Sequence, residues 1–111
     1  MGFQQYHEPA SELTEEIRTF ARMIASLIEE ADAINWYEQR MSVEKDQQAI
    51  FVMLAAQKEE FKHFGMDLEF LLRRKPKWKA ALQSILFHEG EIVALGKQGE
   101  RAEEIADAEK T

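Results

Sequence analysis

Glu60 and His63 form a Glu-x-x-His within the run Glu59-Glu60-Phe61-Lys62-His63, and Glu30 lies upstream in Ala25-Ser26-Leu27-Ile28-Glu29-Glu30-Ala31. Residues three apart on a helix share a face, so this carboxylate and imidazole can hold one ion together. A lone glutamate on one helix and a Glu-x-x-His on the next make half the ligand set of a carboxylate-bridged two-metal centre in a four-helix bundle. The full set takes two of each. The sequence supplies one of each, so a complete centre of this kind needs two chains.

Carboxylates with one imidazole suit iron, manganese or zinc, and a carboxylate-rich pair of sites inside a helical bundle is the di-iron arrangement. Each residue taken alone also has a plainer reading. Glu30 interrupts the apolar series Met23, Leu27, Ile34 and Tyr37, where a glutamate can snorkel to water or pair with an arginine. His63 can be a core or interface histidine bonded to a carboxylate. Glu29 and Asp32, with Glu8, Glu12, Glu15 and Glu16, make the first helix strongly acidic; a solvated face and a cation path both fit. Trp36 and Tyr37 read as interface residues, and Tyr37, seven positions after Glu30, can reach a ligand of the same face. His7 and His88 read as surface or helix-end residues.

The elements that must position these groups are helices. Two prolines and five glycines in 111 residues, with few β-branched runs, make the chain all-α. A first helix is expected to open near Pro9–Thr14 and run to Arg40 or Met41, with Leu13, Ile17, Phe20, Ile24, Leu27, Ala31 and Ile34 as its apolar stripe. Ser42 to Asp46 is a short polar link, which favours an antiparallel neighbour. A second helix is expected from about Lys45 to Arg74. One of its stripes is Ile50, Leu54, Gln57, Phe61, Phe64, Leu68 and Leu71, and another face carries Met53, Ala56, Glu60, His63 and Phe70. A helix apolar on two sides calls for two covering partners, which one neighbour cannot supply. After Lys75-Pro76-Lys77 a shorter helix is expected from Trp78 to Phe87. Residues 1–96 form the expected half-bundle domain, and residues 97–111 an expected charged, flexible tail.

The composition removes whole classes of function. With 21 Asp and Glu against 14 Lys and Arg, the formal charge is −7, which repels nucleic acid and anionic membranes and attracts cations. The absence of cysteine excludes disulfides, thiolate zinc sites, iron–sulfur clusters and cysteine nucleophiles. Met1 to Pro9 carries no apolar signal core, and no apolar run approaches the roughly 20 residues that span a bilayer. The expected location is the cytoplasm. Nothing in the chain has the pattern of a phosphate loop or a Ser-His-Asp set.

His7-Glu8-Pro9, the run Glu29 to Arg40 with its Trp36-Tyr37-Glu38-Gln39-Arg40, the run Glu59 to Glu69, and Leu86-Phe87-His88-Glu89-Gly90 together resemble the encapsulated ferritins, over about residues 6 to 93. The resemblance implies a half-ferritin: an antiparallel two-helix hairpin plus a short third helix, completing a four-helix bundle by dimerisation. It implies a ferroxidase centre of two irons per dimer, with Glu30, Glu60 and His63 as ligands from both chains, Tyr37 hydrogen-bonded behind them and Trp36 alongside. Glu29 and Asp32 would form the metal-uptake site, Asp32 being one methylene shorter than the family's glutamate. A homodimer, a decameric ring and an encapsulin shell around it are the implied partners, inside an encapsulin nanocompartment. The Gly/Leu/Ile-rich C-terminal tag that docks such proteins to the shell has no match in Gln98 to Thr111. The expected activity is oxidation of ferrous to ferric iron by oxygen for iron storage and detoxification. The competing reading is a non-catalytic helical oligomer, with a structural metal or a polar cluster at its interface.

Overall fold

The computed structural model describes residues 5–109, with the side chain of Glu109 left aside. A 3-10 turn, Ala10–Glu12, precedes four helices: α1 (Glu15–Val43), α2 (Gln47–Arg73), α3 (Pro76–Ile85) and α4 (Ile92–Glu109). The fold is all-α, as the composition requires. The chain divides into two compact units after Leu71.

In the first unit, α1 starts where Thr14 caps it, the hydroxyl accepting from the backbone N–H of Ile17 at 3.2 Å. Glu15 and Glu16 then place negative charge in the first turn, where the helix dipole favours it. The helix ends at a chain of acid caps. Glu44 accepts from the N–H groups of Lys45 and Asp46, and Asp46 from that of Ala49, so three residues suffice to turn the chain. Gln57 of α2 donates to the carbonyl of Ile34 and to Glu38, while further along α2 Asp67 meets Glu30. As α2 advances α1 recedes, so the pair is antiparallel.

This hairpin buries little by itself. Among the described residues Leu71 is the one apolar side chain classed as buried, and α1 has no buried residue. Phe51, Val52, Phe61 and Met66 of α2 are all more than half exposed. Of the first stripe read from the α2 sequence Leu54 and Phe61 stand exposed, while Met53, Ala56, Glu60, His63 and Phe70 of the second face are half-buried, so one hairpin partner leaves much of α2 uncovered.

In the second unit, Pro76 occupies the first turn of α3, where its missing N–H costs nothing. The helix stops at Ile85, two residues short of the expected Phe87, which has a positive φ of 64° and stands fully exposed. Gly90 (φ 122°) lies in the loop, and the carboxylate of Glu91 caps α4 by accepting from Val93 and Ala94.

The expected flexible tail is instead helix. Residues 97–109 form most of α4, which packs antiparallel on α3: Lys77 faces Glu103 at 3.9 Å, and Gly99 is buried against Ala81 and Ile85. The physical reason is side-chain size. Gly99 lets the backbones approach so closely that a Cβ there would lie 2.8 Å from the Ala81 carbonyl oxygen. The half-buried Ala102 and Ala106 continue the same face at helical spacing. Three small residues carry too little hydrophobicity to stand out as a stripe among the charges between them.

Candidate metal centre

The hairpin sets the stage for two side-chain pairs. On α2, Nδ1 of His63 lies 3.2 Å from Oε1 of Glu60, the contact expected of residues three apart. The His63 ring is 43% exposed and the Glu60 side chain 23%. With a proton on Nδ1 donated to Glu60, the lone pair of Nε2 is free to bind a cation, the usual arrangement of a metal-ligating histidine. Glu59, the neighbour of Glu60, turns outward: it pairs with Lys62 at 2.8 Å and lies 3.9 Å from His63 Nε2. Hydrogen bonding to Lys62, with its charge, holds the Glu59 carboxyl below its ordinary range.

The second pair joins the helices. Glu30 of α1 meets Asp67 of α2, and both acids are withdrawn from water: Asp67 is 9% exposed, and Oε2 of Glu30 is shut off from solvent. Oε2 of Glu30 and Oδ2 of Asp67 are the two buried side-chain polar atoms, among the described residues, that have no hydrogen-bond donor. Ionised carboxylates only accept, so they cannot satisfy each other unless one keeps a proton. The Glu30 carboxyl is accordingly pushed up to about 7, first by removal from water, then by hydrogen bonding to Asp67 and by its charge. His63 acts in the opposite sense and Glu60 adds to the rise, so Glu30 lies within electrostatic reach of all three α2 groups.

The expected ligands Glu30, Glu60 and His63 thus stand on facing helices of one hairpin. The two pairs do not merge. Among the described residues of a single chain, no three histidine or acidic side chains gather closely enough to hold an ion. Glu29 and Asp32 are exposed on α1. Tyr37 is half-buried and carries the Arg40 guanidinium over its ring at 5.4 Å, while Trp36 is exposed beside Gln39 and Arg40 in an open depression.

Asp67 escaped the sequence reading. The signal was available: it follows Glu60 by seven and His63 by four, so the three share one helical face.

These features define a ferritin-like helical hairpin with carboxylates and an imidazole on its facing helices. The chain belongs to the EncFtn-like family, whose model matches residues 5–89. It is 40% identical over 94 residues to a ferritin-like protein of Thermotoga maritima, spanning 85% of this chain and 82% of that one. An encapsulated ferritin-like protein of Rhodospirillum rubrum is 38% identical over 89 residues, covering 80% of this chain and 64% of that protein. The crystal structure of a protein from Nitrosomonas europaea matches with a TM-score of 0.76 at 36% identity, over 78% of this chain and 96% of its own. The family match ends before α4 begins at Ile92. Among the described residues, no helix is long and apolar enough to cross a membrane.

Proposed function

We propose that the protein is a ferroxidase. Two chains present Glu30, Glu60 and His63 to a pair of ferrous ions, which give electrons to oxygen and leave as ferric iron for storage. The observation that carries this reading is the donor-less buried oxygen of Glu30, on the hairpin that also holds the Glu60–His63 pair. Burying a carboxylate without a donor costs on the order of several kcal/mol, and a cation removes that cost. Carboxylates and one imidazole are the ligand chemistry ferrous iron accepts.

On this reading the chain's own groups have distinct tasks. Glu30 and Glu60 supply hard anionic oxygens, and neutral His63 supplies a nitrogen. Near neutral pH the proton retained on Glu30 must leave as the ion arrives, so uptake releases protons. Exposed Glu29 and Asp32 would concentrate cations from solution, with Tyr37 behind the ligands and Trp36 beside the site. The exposed apolar residues of α2 support a homodimer at minimum, with the family suggesting a larger ring and an encapsulin shell around it.

A structural-metal or polar-cluster reading has one observation in its favour: the direct Glu60–His63 hydrogen bond, which a satisfied polar pair would also make. Anaerobic loading with ferrous iron, then admission of air under a near-ultraviolet absorbance trace, separates the two. A ferroxidase gives prompt oxidation at two irons per two chains. A protein that retains zinc and leaves ferrous iron at the background oxidation rate is the non-catalytic oligomer.

A further inference from the structure

We propose that Asp67 is itself a metal-binding residue, sharing a divalent cation with Glu30, so that each chain contributes three carboxylates and one imidazole. This rests on the metal-centre reading above and adds a ligand to it. Three observations carry it. Asp67 is more than nine-tenths buried, which acidic side chains almost never are without a partner. Its Oδ2 and the Oε2 of Glu30 are the buried side-chain atoms that no donor reaches among the described residues. Its position four residues after His63 and seven after Glu60 puts it on the ligand face of α2.

The two alternatives for such a pair are a proton and a cation. One proton lies between two oxygens and leaves the other lone pairs of both groups unused. A divalent ion accepts an oxygen from each acid at once and offsets both charges. It also explains why the acid sits on α2, opposite Glu30, rather than on an outer face where water would serve. Carboxylate oxygens prefer hard or borderline ions, so the class of ligand is a first-row divalent cation of the kind His63 also accepts.

The test uses the intact oligomer and cobalt(II), whose visible spectrum reports its ligands, with oxygen excluded. Wild type should bind Co(II) with a defined spectrum. Asp67→Asn, which keeps the shape and removes the charge, should weaken binding on the order of tenfold or more and alter the spectrum. Its metal-free melting temperature should not fall, because the amide can donate to Glu30. Asp67→Glu, which moves the carboxylate by one methylene, should retain binding with a changed spectrum and covers the case of an Asn variant that does not fold. Wild-type affinity and spectrum in both variants, while His63→Ala loses binding, would overturn the role of Asp67 and leave the metal centre standing. Wild type that binds no Co(II) and oxidises no iron would overturn both.

Discussion

Glu30→Gln should stabilise the metal-free protein, and only above a definite pH. In the folded chain Glu30 rises from its ordinary 4.5 to about 7. A carboxyl raised on folding contributes its full stability below the unfolded value, and that contribution is lost as pH climbs through the folded one. The loss therefore runs between about pH 4.5 and 7. At about 1.4 kcal/mol per pH unit the rise amounts to on the order of 3 kcal/mol per chain, an upper figure because the side chain keeps some solvent contact. Glutamine does not titrate, and its amide can donate to the orphaned Oδ2 of Asp67. At pH 4.5 variant and wild type should be close in stability. At pH 8 the variant should be more stable by about 1–3 kcal/mol. The assay is urea unfolding followed by circular dichroism at a series of pH values, after chelation, at fixed salt and equal protein concentration because assembly contributes. Adding a divalent metal at pH 8 should reverse the order, since wild type gains a bound ion that the variant holds poorly. A difference that is flat from pH 5 to 8, or a variant less stable than wild type at pH 8, would refute the account of Glu30 as an acid held against its own preference.

On the proposed reading, replacing His63 or Glu60 with Ala would remove two ligands per centre, one from each chain, so iron oxidation above background should nearly vanish; Glu29→Ala and Asp32→Ala should slow uptake, seen in stopped-flow traces, without changing the number of irons bound. In α4, Gly99→Ala should destabilise by about 1–3 kcal/mol, because its Cβ would meet the Ala81 carbonyl oxygen at 2.8 Å, whereas Gly96→Ala meets nothing within 4 Å and should gain up to about 1 kcal/mol in helix propensity. Thermal unfolding of the two variants should move in opposite directions; a shared sign would refute the close approach of α3 and α4. Phe61→Glu puts a charge on a side chain that is 53% exposed in one chain, and light scattering should show a smaller assembly if α2 meets other copies there.

The first two helices were legible because large apolar residues at spacings of three and four leave a strong period, and because acids and a threonine mark the ends. The bounds shifted by only a few residues, where Thr14, Glu44 and Asp46 do the capping. Helix α4 was illegible for the opposite reason: its contact face is Gly99, Ala102 and Ala106, whose value lies in what they lack. For the site, Glu30 stood out as an acid inside an apolar series, and Glu60 with His63 as a spaced pair. Which oxygen would be left without a donor could not be read, since that depends on which α2 residue comes level with Glu30. Only the antiparallel register, fixed in part by Gln57 against Ile34 and Glu38, brings Asp67 there.

The hairpin carries two deficits, and they share a remedy. Its large side chains are exposed or only half-buried, with Leu71 the single fully buried one among the described residues, so packing within one chain contributes little. Its best-buried acid is matched with another acid instead of a base. Fewer polar groups or more internal packing would make a better monomer on both counts. A second chain set against α2 would cover the apolar residues and bring a second Glu60–His63 pair to the region, and cations bound there would offset the carboxylates of both chains. On the proposed reading such ions would bind the assembled form more tightly than the single chain, and each would stabilise it by mass action, in proportion to the logarithm of free metal over the dissociation constant. Assembly and metal loading are then one equilibrium. Chelation should loosen the oligomer, metal should tighten it, and Glu30→Gln should uncouple the two by keeping the assembly while losing its response to metal.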